Sequence, residues 1–416
     1  MNPIKNLFGF RKNKELDKSI VQKNPYRNNT DLNKRQFIKK GLLGMAGLGG
    51  LALASKVAKA GGLVFNDGTT TVTAPSGSVT NLIINPDFSI RSRGTSFTSA
   101  TTFPNSDDKY LLDQWLLLSD GDDIVDVSRE EDVFSGFKYS IKLDVETASK
   151  KFGICQILEN VHAENIIGSN CSLSFTAKVN NAGAGRLDNI KAVVLSWDST
   201  ADSVTSDVVS AWGAEDTTPT WATNWTAENT PANLSVTTSA TRYKIENISI
   251  DTASTKNVAV FIWADGLSGT VTDTLEITGV QLERGATANT VVPSDFSKEY
   301  LRCARYSWKW ECETPSINVS FAAGRTSGTT IVQFGITSPV AMRPVVPTVT
   351  HLGSGLPVGY TDGASSQASS VSITAVTYEP DGNFIAMASN NHSGFTAARA
   401  VNIGFDTNGL LFTAEL

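Results

Sequence analysis

Cysteine and histidine are scarce in this sequence, with 4 and 3 copies in 416 residues. Cys155, Cys171, Cys303 and Cys312 are too sparse for a disulfide scaffold and form no CxxC or Cys/His cluster of the kind that holds zinc. They are expected to be buried small apolar side chains, with Cys155–Cys171 and Cys303–Cys312 bridges as the alternative. His162, His351 and His392 are too scattered to mark a metal centre or a base that activates a nucleophile. No Gly-x-Ser-x-Gly, HExxH or phosphate-cradling loop occurs. Long apolar runs are missing as well: Gly41 to Ser55 is uncharged, but about 15 residues are too few to cross a bilayer as a helix.

Charge is present but divided. Residues 1–60 carry 13 Lys/Arg against 3 Asp/Glu, which leaves 22 against 38 for residues 61–416, so a head of +10 precedes a body of −16. A body of that sign repels phosphate backbones, and nucleic acid is not an expected partner. The basic head suits docking on an acidic protein surface or an anionic membrane. Acidic neighbours such as Asp107-Asp108, Asp122-Asp123 and Glu130-Glu131 point to opposite faces of a strand, whereas a glycosidase needs two carboxylates converging on one bond. They read as solvated turn charges, and no enzyme is expected.

Short apolar runs rich in Val, Ile, Phe and Thr alternate with Gly, Ser, Asn and Asp clusters, the pattern of a many-stranded β fold. Strands are predicted at Phe137–Val145, Phe152–Leu158, Ser172–Val179, Ile190–Trp197, Tyr243–Ile250, Val258–Trp263 and Thr274–Leu282, with a short helical turn near Val161–Ile167. Tyr139, Ile141, Leu143 and Val145 recur with period two, as do Leu173, Phe175, Ala177 and Val179, which places each set on one covered face. Further strands are predicted at Ile331–Ile336, Val345–Thr350, Val371–Val376, Phe384–Ala388 and Leu410–Ala414. The expected fold class is all-β. A basic arm with one short apolar helix fills 1–60, a linker hairpin turning at Asp67-Gly68 fills 61–79, a jelly-roll β-sandwich fills 80–293 and a smaller β domain fills 294–416.

Within the arm, Lys34, Arg35, Lys39 and Lys40 precede the uncharged run, and Ala58-Lys59-Ala60 follows it. This layout resembles a twin-arginine export signal in which Lys34 stands at the first arginine. The competing reading makes the same cations a docking segment whose Gly/Ala/Leu-rich helix packs on a partner protein inside a particle.

Three stretches resemble phage virion proteins whose middle domain is a jelly roll similar to carbohydrate-binding modules of the xylanase-associated type. They are Asn81 to Phe97 with Tyr110 to Trp115, Cys171 to Lys178, and Leu275 to Gly285 with the exit Glu299-Tyr300-Leu301-Arg302-Cys303-Ala304-Arg305-Tyr306. The resemblance covers about residues 81–310. It implies a tail-fibre or tail-type component of the virion, docked through its arm to other virion proteins and bound to a host-surface glycan or receptor. It also implies a structural Ca²⁺ at Asp87, although the closing strand Ile277-Thr278-Gly279-Val280 lacks the usual carboxylate; no other cofactor is expected.

Tryptophan offers a flat apolar face to a sugar ring. Trp115, Trp197 and Trp263 sit in apolar runs and are assigned to the core. Trp212, Trp221 and Trp225 lie in polar loops and are the candidate glycan contacts; the alternative is an insertion that packs over its own aromatics. Tyr306, Trp308 and Trp310 share one face by period two and suggest a seam. The combined expectation is a non-enzymatic attachment protein of a virion that forms a homo-oligomer, a trimer. Alternatives are an exported polysaccharide-binding surface protein and a glycan-degrading tailspike.

Overall fold

The computed structural model describes residues 80–416 except 184–185, 188, 266–269, 292–293, 311–319, 328–329, 353–355, 361–364, 369–372, 380–382, 390–399 and 405–408, together with 63–64 and 70–71. The chain divides into two compact units, Met1–Ser78 and Val79–Leu416. In the first, β1 (Leu63–Val64) pairs antiparallel with β2 (Thr70–Thr71) on either side of Asp67-Gly68. The docking residues Lys34, Arg35, Lys39 and Lys40 lie outside the described residues, as do Cys312 and His392.

The second unit runs through β3 (Ser96–Phe97), β4 (Lys109–Tyr110), β5 (Leu116–Ser119), β6 (Val125–Phe134), β7 (Phe137–Val145) and β8 (Phe152–Leu158). A single helical turn, α1 (Asn160–Ala163), leads to β9 (Asn170–Val179) and β10 (Ile190–Trp197). An insertion carries β11 (Val209–Ala211), β12 (Thr220–Trp221) and β13 (Trp225–Ala227), and the long strands β14 (Thr241–Ser249), β15 (Asn257–Ala264) and β16 (Thr274–Arg284) follow. They form two six-stranded sheets, ordered β14-β9-β16-β7-β6-β3 and β13-β10-β15-β8-β5-β4. Packed face to face, these make an all-β jelly-roll sandwich.

The two sheets solve burial differently. In the first, β7 alternates Ile141, Leu143 and Val145 toward the core with Lys138, Lys142 and Asp144 outward. In the second, β8, β10 and β15 are buried at every residue. On β15, Val258, Val260, Ile262 and Ala264 enter the core between the sheets, while Ala259, Phe261 and Trp263 enter a second apolar cluster on the sheet's outer face. Near-continuous apolar runs such as Ala192-Val193-Val194-Leu195 therefore record a sheet covered on both sides. Trp115 sits in the inter-sheet core, its Nε1 donating to the Asn85 carbonyl at 3.0 Å. Trp197 and Trp263 are buried on the outer face instead.

One glycine bends the closing strand. Gly279 has φ of +60° at the register shift between Thr278 and Gln281 of β16. The Phe137 ring covers it so closely that a Cβ there would lie 2.4 Å from the ring carbon Cζ, so both the backbone conformation and the cover demand glycine.

After the sandwich comes α2 (Phe296–Ala304), a helix that strand-like expectations for this region did not foresee. Asp295 caps it by accepting from the Lys298 amide at 3.0 Å, and the buried Glu299, Cys303 and Ala304 recur at helical spacing. Beyond it, β17 (Ser307–Trp310) is followed by β18 (Ser320–Thr326), β19 (Val332–Thr337), β20 (Thr348–His351), β21 (Leu356–Tyr360) and β22 (Ser365–Ala368). The chain then forms β23 (Ile373–Glu379), β24 (Phe384–Ser389), β25 (Ala400–Gly404) and β26 (Leu410–Thr413). These build a three-stranded sheet, β17-β26-β20, and a seven-stranded one, β22-β21-β25-β18-β19-β24-β23. Trp308, Phe334, Ile385, Met387 and Phe412 are among the side chains of their shared core, with Trp308 stacked on Phe412 at 4.5 Å.

Cys155, Cys171 and Cys303 are buried free thiols. No Cys155–Cys171 bridge forms, because Cys155 faces the outer cluster of one sheet while Cys171 lies in the core between the sheets.

Candidate functional site

The three tryptophans of the insertion are packed downward. Trp225 is 5% exposed, its ring 5.3 Å from Trp197 and its Nε1 donating to the Thr205 carbonyl at 2.9 Å. Trp221 meets Phe261 and Trp263 edge-on at 6.4 and 5.9 Å, and Trp212 lies 5.9 Å from Phe261. The outward-facing apolar side chains of β10 and β15 need a cover, and these rings supply it. Trp225 therefore presents no face to a ligand, in correction of its assignment from loop polarity. Trp212 and Trp221 are half-buried, with Phe261 and Trp263 beneath them.

Lys151 fastens this cover. Its ammonium donates to the carbonyls of Trp212, Ala214 and Thr217 at 3.0, 2.7 and 2.9 Å and to Asp265 Oδ1 at 2.8 Å. Asp265 also accepts from Lys191 at 2.5 Å and from Trp263 Nε1 at 3.0 Å. Neither Lys151 nor Asp265 has an exposed side chain. Lone buried charges are costly, but here each ammonium meets the Asp265 carboxylate and Lys151 is further satisfied by backbone carbonyls.

At Asp87, the residue matched to a calcium position, one carboxylate oxygen accepts from the Ser89 amide at 3.3 Å within a turn. The opening turn is tied to the closing strand through the Val280 amide and Pro86 carbonyl, 3.0 Å apart. Among the described residues no three His, Cys, Asp or Glu side chains gather to hold a metal. Calcium takes 6–8 oxygen ligands, commonly including several carboxylates, so a site at Asp87 would have to draw its other ligands from backbone carbonyls.

Among the described residues one open feature is a cleft of about 450 Å³ between the sandwich and the residues that follow it. Its lining includes Arg91, Arg93, Arg129, Lys309, Tyr139 and Phe296. Arg129 and Tyr139 have the same parity as the core residues Val127 and Ile141, so the inner face of the first sheet simply continues past the core into the cleft. The Arg129 guanidinium lies 4.0 Å over the Tyr139 ring and donates to the Ser89 carbonyl at 3.1 Å. Burial, then the charge of Arg91, hold its pKa below the ordinary arginine range. Phe296, first residue of α2, is 60% exposed at the rim. No carboxylate is among the described lining residues.

Beneath the cleft, Arg93 is ion-paired with Glu415, and both side chains are buried. Burial pulls the Arg93 pKa down, but the carboxylates of Glu415 and Asp113 raise it overall. Burial pushes Glu415 up to about 7, against the pull of Arg93, and raises Asp113 as well. A carboxyl whose folded pKa lies above its unfolded value adds stability fully present below about 4.5 and lost as pH rises through about 7. The melting temperature should therefore fall between pH 5 and pH 7.5. Glu415→Gln should flatten that slope by on the order of 3 kcal/mol over the interval. Thermal melts of both proteins across this range check it, and equal slopes would remove Glu415 as the cause.

A seam joins the sandwich to the C-terminal sheets. Glu159 accepts from Arg305 Nε and Nη2 at 2.8 and 2.7 Å and from the Tyr306 hydroxyl at 2.8 Å. Burial pushes the Glu159 pKa up, yet the hydrogen bonds from Arg305 and Tyr306 outweigh it and hold the carboxyl below its ordinary value. Tyr306 packs with Ile84, Ile90 and Cys303, whereas Trp308 and Trp310 pack in the C-terminal core. The period-two trio thus straddles the junction between the two β regions. Arg302 adds hydrogen bonds to the Asn81 and Leu82 carbonyls at 3.2 and 3.0 Å.

No protein-family model matches the chain. No curated protein matches it. Among solved structures it is similar to a candidate sugar-binding protein from Bacteroides thetaiotaomicron, at 15% identity over 50% of this chain and 100% of that one, with a TM-score of 0.31. It is also similar to the enzymatically active domain of bacteriophage CBA120 tailspike protein 4, at 16% identity over 47% of this chain and 22% of that one, TM-score 0.28. A third similarity is to TmCBM61 in complex with β-1,4-galactotriose, at 14% identity over 50% and 99%, TM-score 0.27. These likenesses are distant, and the sandwich stands on the strand pairing of this chain itself.

Proposed function

We propose that the protein is a non-catalytic attachment component of a phage particle, of fibre or tail type, that holds a host-surface glycan in the cleft between its sandwich and the residues that follow. The observation that carries this reading is the cleft, where arginine donors of the sandwich meet the exposed Phe296 ring of α2. Sugars are held by that pairing of directional donors with apolar ring faces. Its lining supplies no carboxylate pair among the described residues, which favours holding over hydrolysis. The virion part of the reading rests on the motif resemblance that ends at Glu299 to Tyr306. In it the basic arm, through Lys34, Arg35, Lys39 and Lys40, grips other virion proteins, and copies of the chain associate as trimers.

Full-length protein mixed with host cells or their isolated surface polysaccharide is expected to be retained without releasing new reducing ends. New reducing ends would replace this reading with a glycan-degrading spike. The Ala58-Lys59-Ala60 motif favours one second reading, an exported polysaccharide-binding surface protein. Mass spectrometry of the native N terminus separates the two: cleavage after Ala60 supports export, and an intact arm supports docking.

A further inference from the structure

The cleft concentrates positive charge in a body that is otherwise strongly acidic. Residues 61–416 carry 38 Asp/Glu against 22 Lys/Arg, yet Arg91, Arg93, Arg129 and Lys309 all line this one hollow. Arg93 has its charge met by Glu415 from below. Arg91 is different: it is exposed and forms no ion pair or side-chain hydrogen bond among the described residues.

Arg129 is underused. A guanidinium has five N–H donors, and here one bond is made, to the Ser89 carbonyl. Its Nε is buried without a partner, and Nη2 faces only Glu131, at 3.5 Å, on an exposed side chain. The Arg129 side chain is itself 7% exposed, so water does little to screen it. The buried Arg129 and the exposed Arg91 line the same hollow with donors to spare, and a bound anion would offset their mutual repulsion. Beside them Phe296 offers an uncovered ring, and the 450 Å³ hollow falls within the ~300–1,000 Å³ typical of small-ligand sites.

We propose that the cleft recognises a sugar residue bearing an anionic substituent, the anion placed between Arg91 and Arg129 and the sugar ring against Phe296. This rests on the glycan-attachment reading and narrows it to acidic saccharides. A neutral sugar would leave the paired arginines repelling one another, so discrimination between acidic and neutral ligands is built into the site.

The test uses the full-length protein and titration calorimetry with three probes: an oligogalacturonide, its methyl ester, and a sulfated oligosaccharide of similar length. At least one acidic probe is expected to bind tenfold or more tightly than the methyl ester, and to weaken several-fold between 50 and 200 mM NaCl as screening shortens. Preference for the carboxylated or the sulfated probe identifies which anion the site takes. Arg91→Glu, an exposed substitution, should abolish that preference while leaving the melting temperature unchanged. Phe296→Ala should weaken the acidic and neutral probes alike.

Equal affinity for acidic and neutral probes, or Arg91→Glu without effect, overturns the anion inference and leaves glycan attachment standing. Binding to none of the three, together with no retention on host polysaccharide, overturns both. Retention on host polysaccharide that Arg91→Glu and Phe296→Ala leave intact moves the glycan away from this cleft.

Discussion

Lys151→Ala is expected to lower the unfolding free energy by about 3–5 kcal/mol, the range for removing one partner of a buried, hydrogen-bonded charge cluster. The wild-type ammonium shares its three protons among three carbonyls and a carboxylate, all between 2.7 and 3.0 Å away. Alanine removes the ammonium donor from the Trp212, Ala214 and Thr217 carbonyls, of which Ala214 keeps the Thr217 amide and hydroxyl, and leaves the buried Asp265 with Lys191 and Trp263. Because the carbonyls belong to residues 212–217, the insertion should also lift from the sheet. Two measurements check this: urea unfolding followed by tryptophan fluorescence, and the rate of proteolytic nicking between Trp212 and Trp221. A loss below about 1 kcal/mol with an unchanged nicking rate would show that the insertion holds by its aromatic packing alone.

Gly153→Ala is expected to cost about 3 kcal/mol, the upper part of the range for overpacking a core. Gly153 lies in β8, opposite Trp263 of β15 and Leu118 of β5. A Cβ there would stand 2.3 Å from the Ile262 carbonyl oxygen and 2.6 Å from Trp263 Cβ. Neither obstacle is the far end of a flexible side chain, so no rotamer change relieves the contact and the two strands must part. Urea denaturation reads the loss directly. A stable Gly153→Ala protein with an unaltered midpoint would mean that β8 and β15 slide apart at no cost, contrary to close packing of interiors.

The sandwich was legible because its signal is local. Phe137–Val145, Phe152–Leu158 and Ile190–Trp197 occupy the spans that alternation and turn clusters predict. The C-terminal sheets were less so: β21 reads Leu-Pro-Val-Gly-Tyr, whose Pro and Gly weaken a strand signal, and β22 reads Ser-Ser-Gln-Ala, which lacks apolar alternation and is a strand through its pairing with β21. Helix α2 carried a usable sign, Asp295 ahead of Glu299 and Cys303, but at nine residues it offers only about two and a half turns of periodicity. The tryptophans of the insertion were ambiguous in sequence, because polar neighbours say nothing about what lies beneath a ring. That the outer faces of β10 and β15 were apolar could have been read from their unbroken runs, which require a second cover. The cleft had no local signal at all. Arg91, Arg129, Phe296 and Lys309 come from four separate stretches of chain, and only the fold brings them together.

The bridge from Glu159 to Arg305 and Tyr306 reaches further than the groups it touches. Arg91 and Arg129 belong to the sandwich, whereas Phe296 and Lys309 belong to the helix and strand on either side of Arg305 and Tyr306. The Glu159 clasp, with the Arg302 bonds to Asn81 and Leu82, ties these parts together across the seam. A ligand held in the proposed site would spend little binding energy on bringing its two sides together. By the same logic, loosening the clasp should slow capture and quicken release at the opening without deleting a single direct contact to the guest.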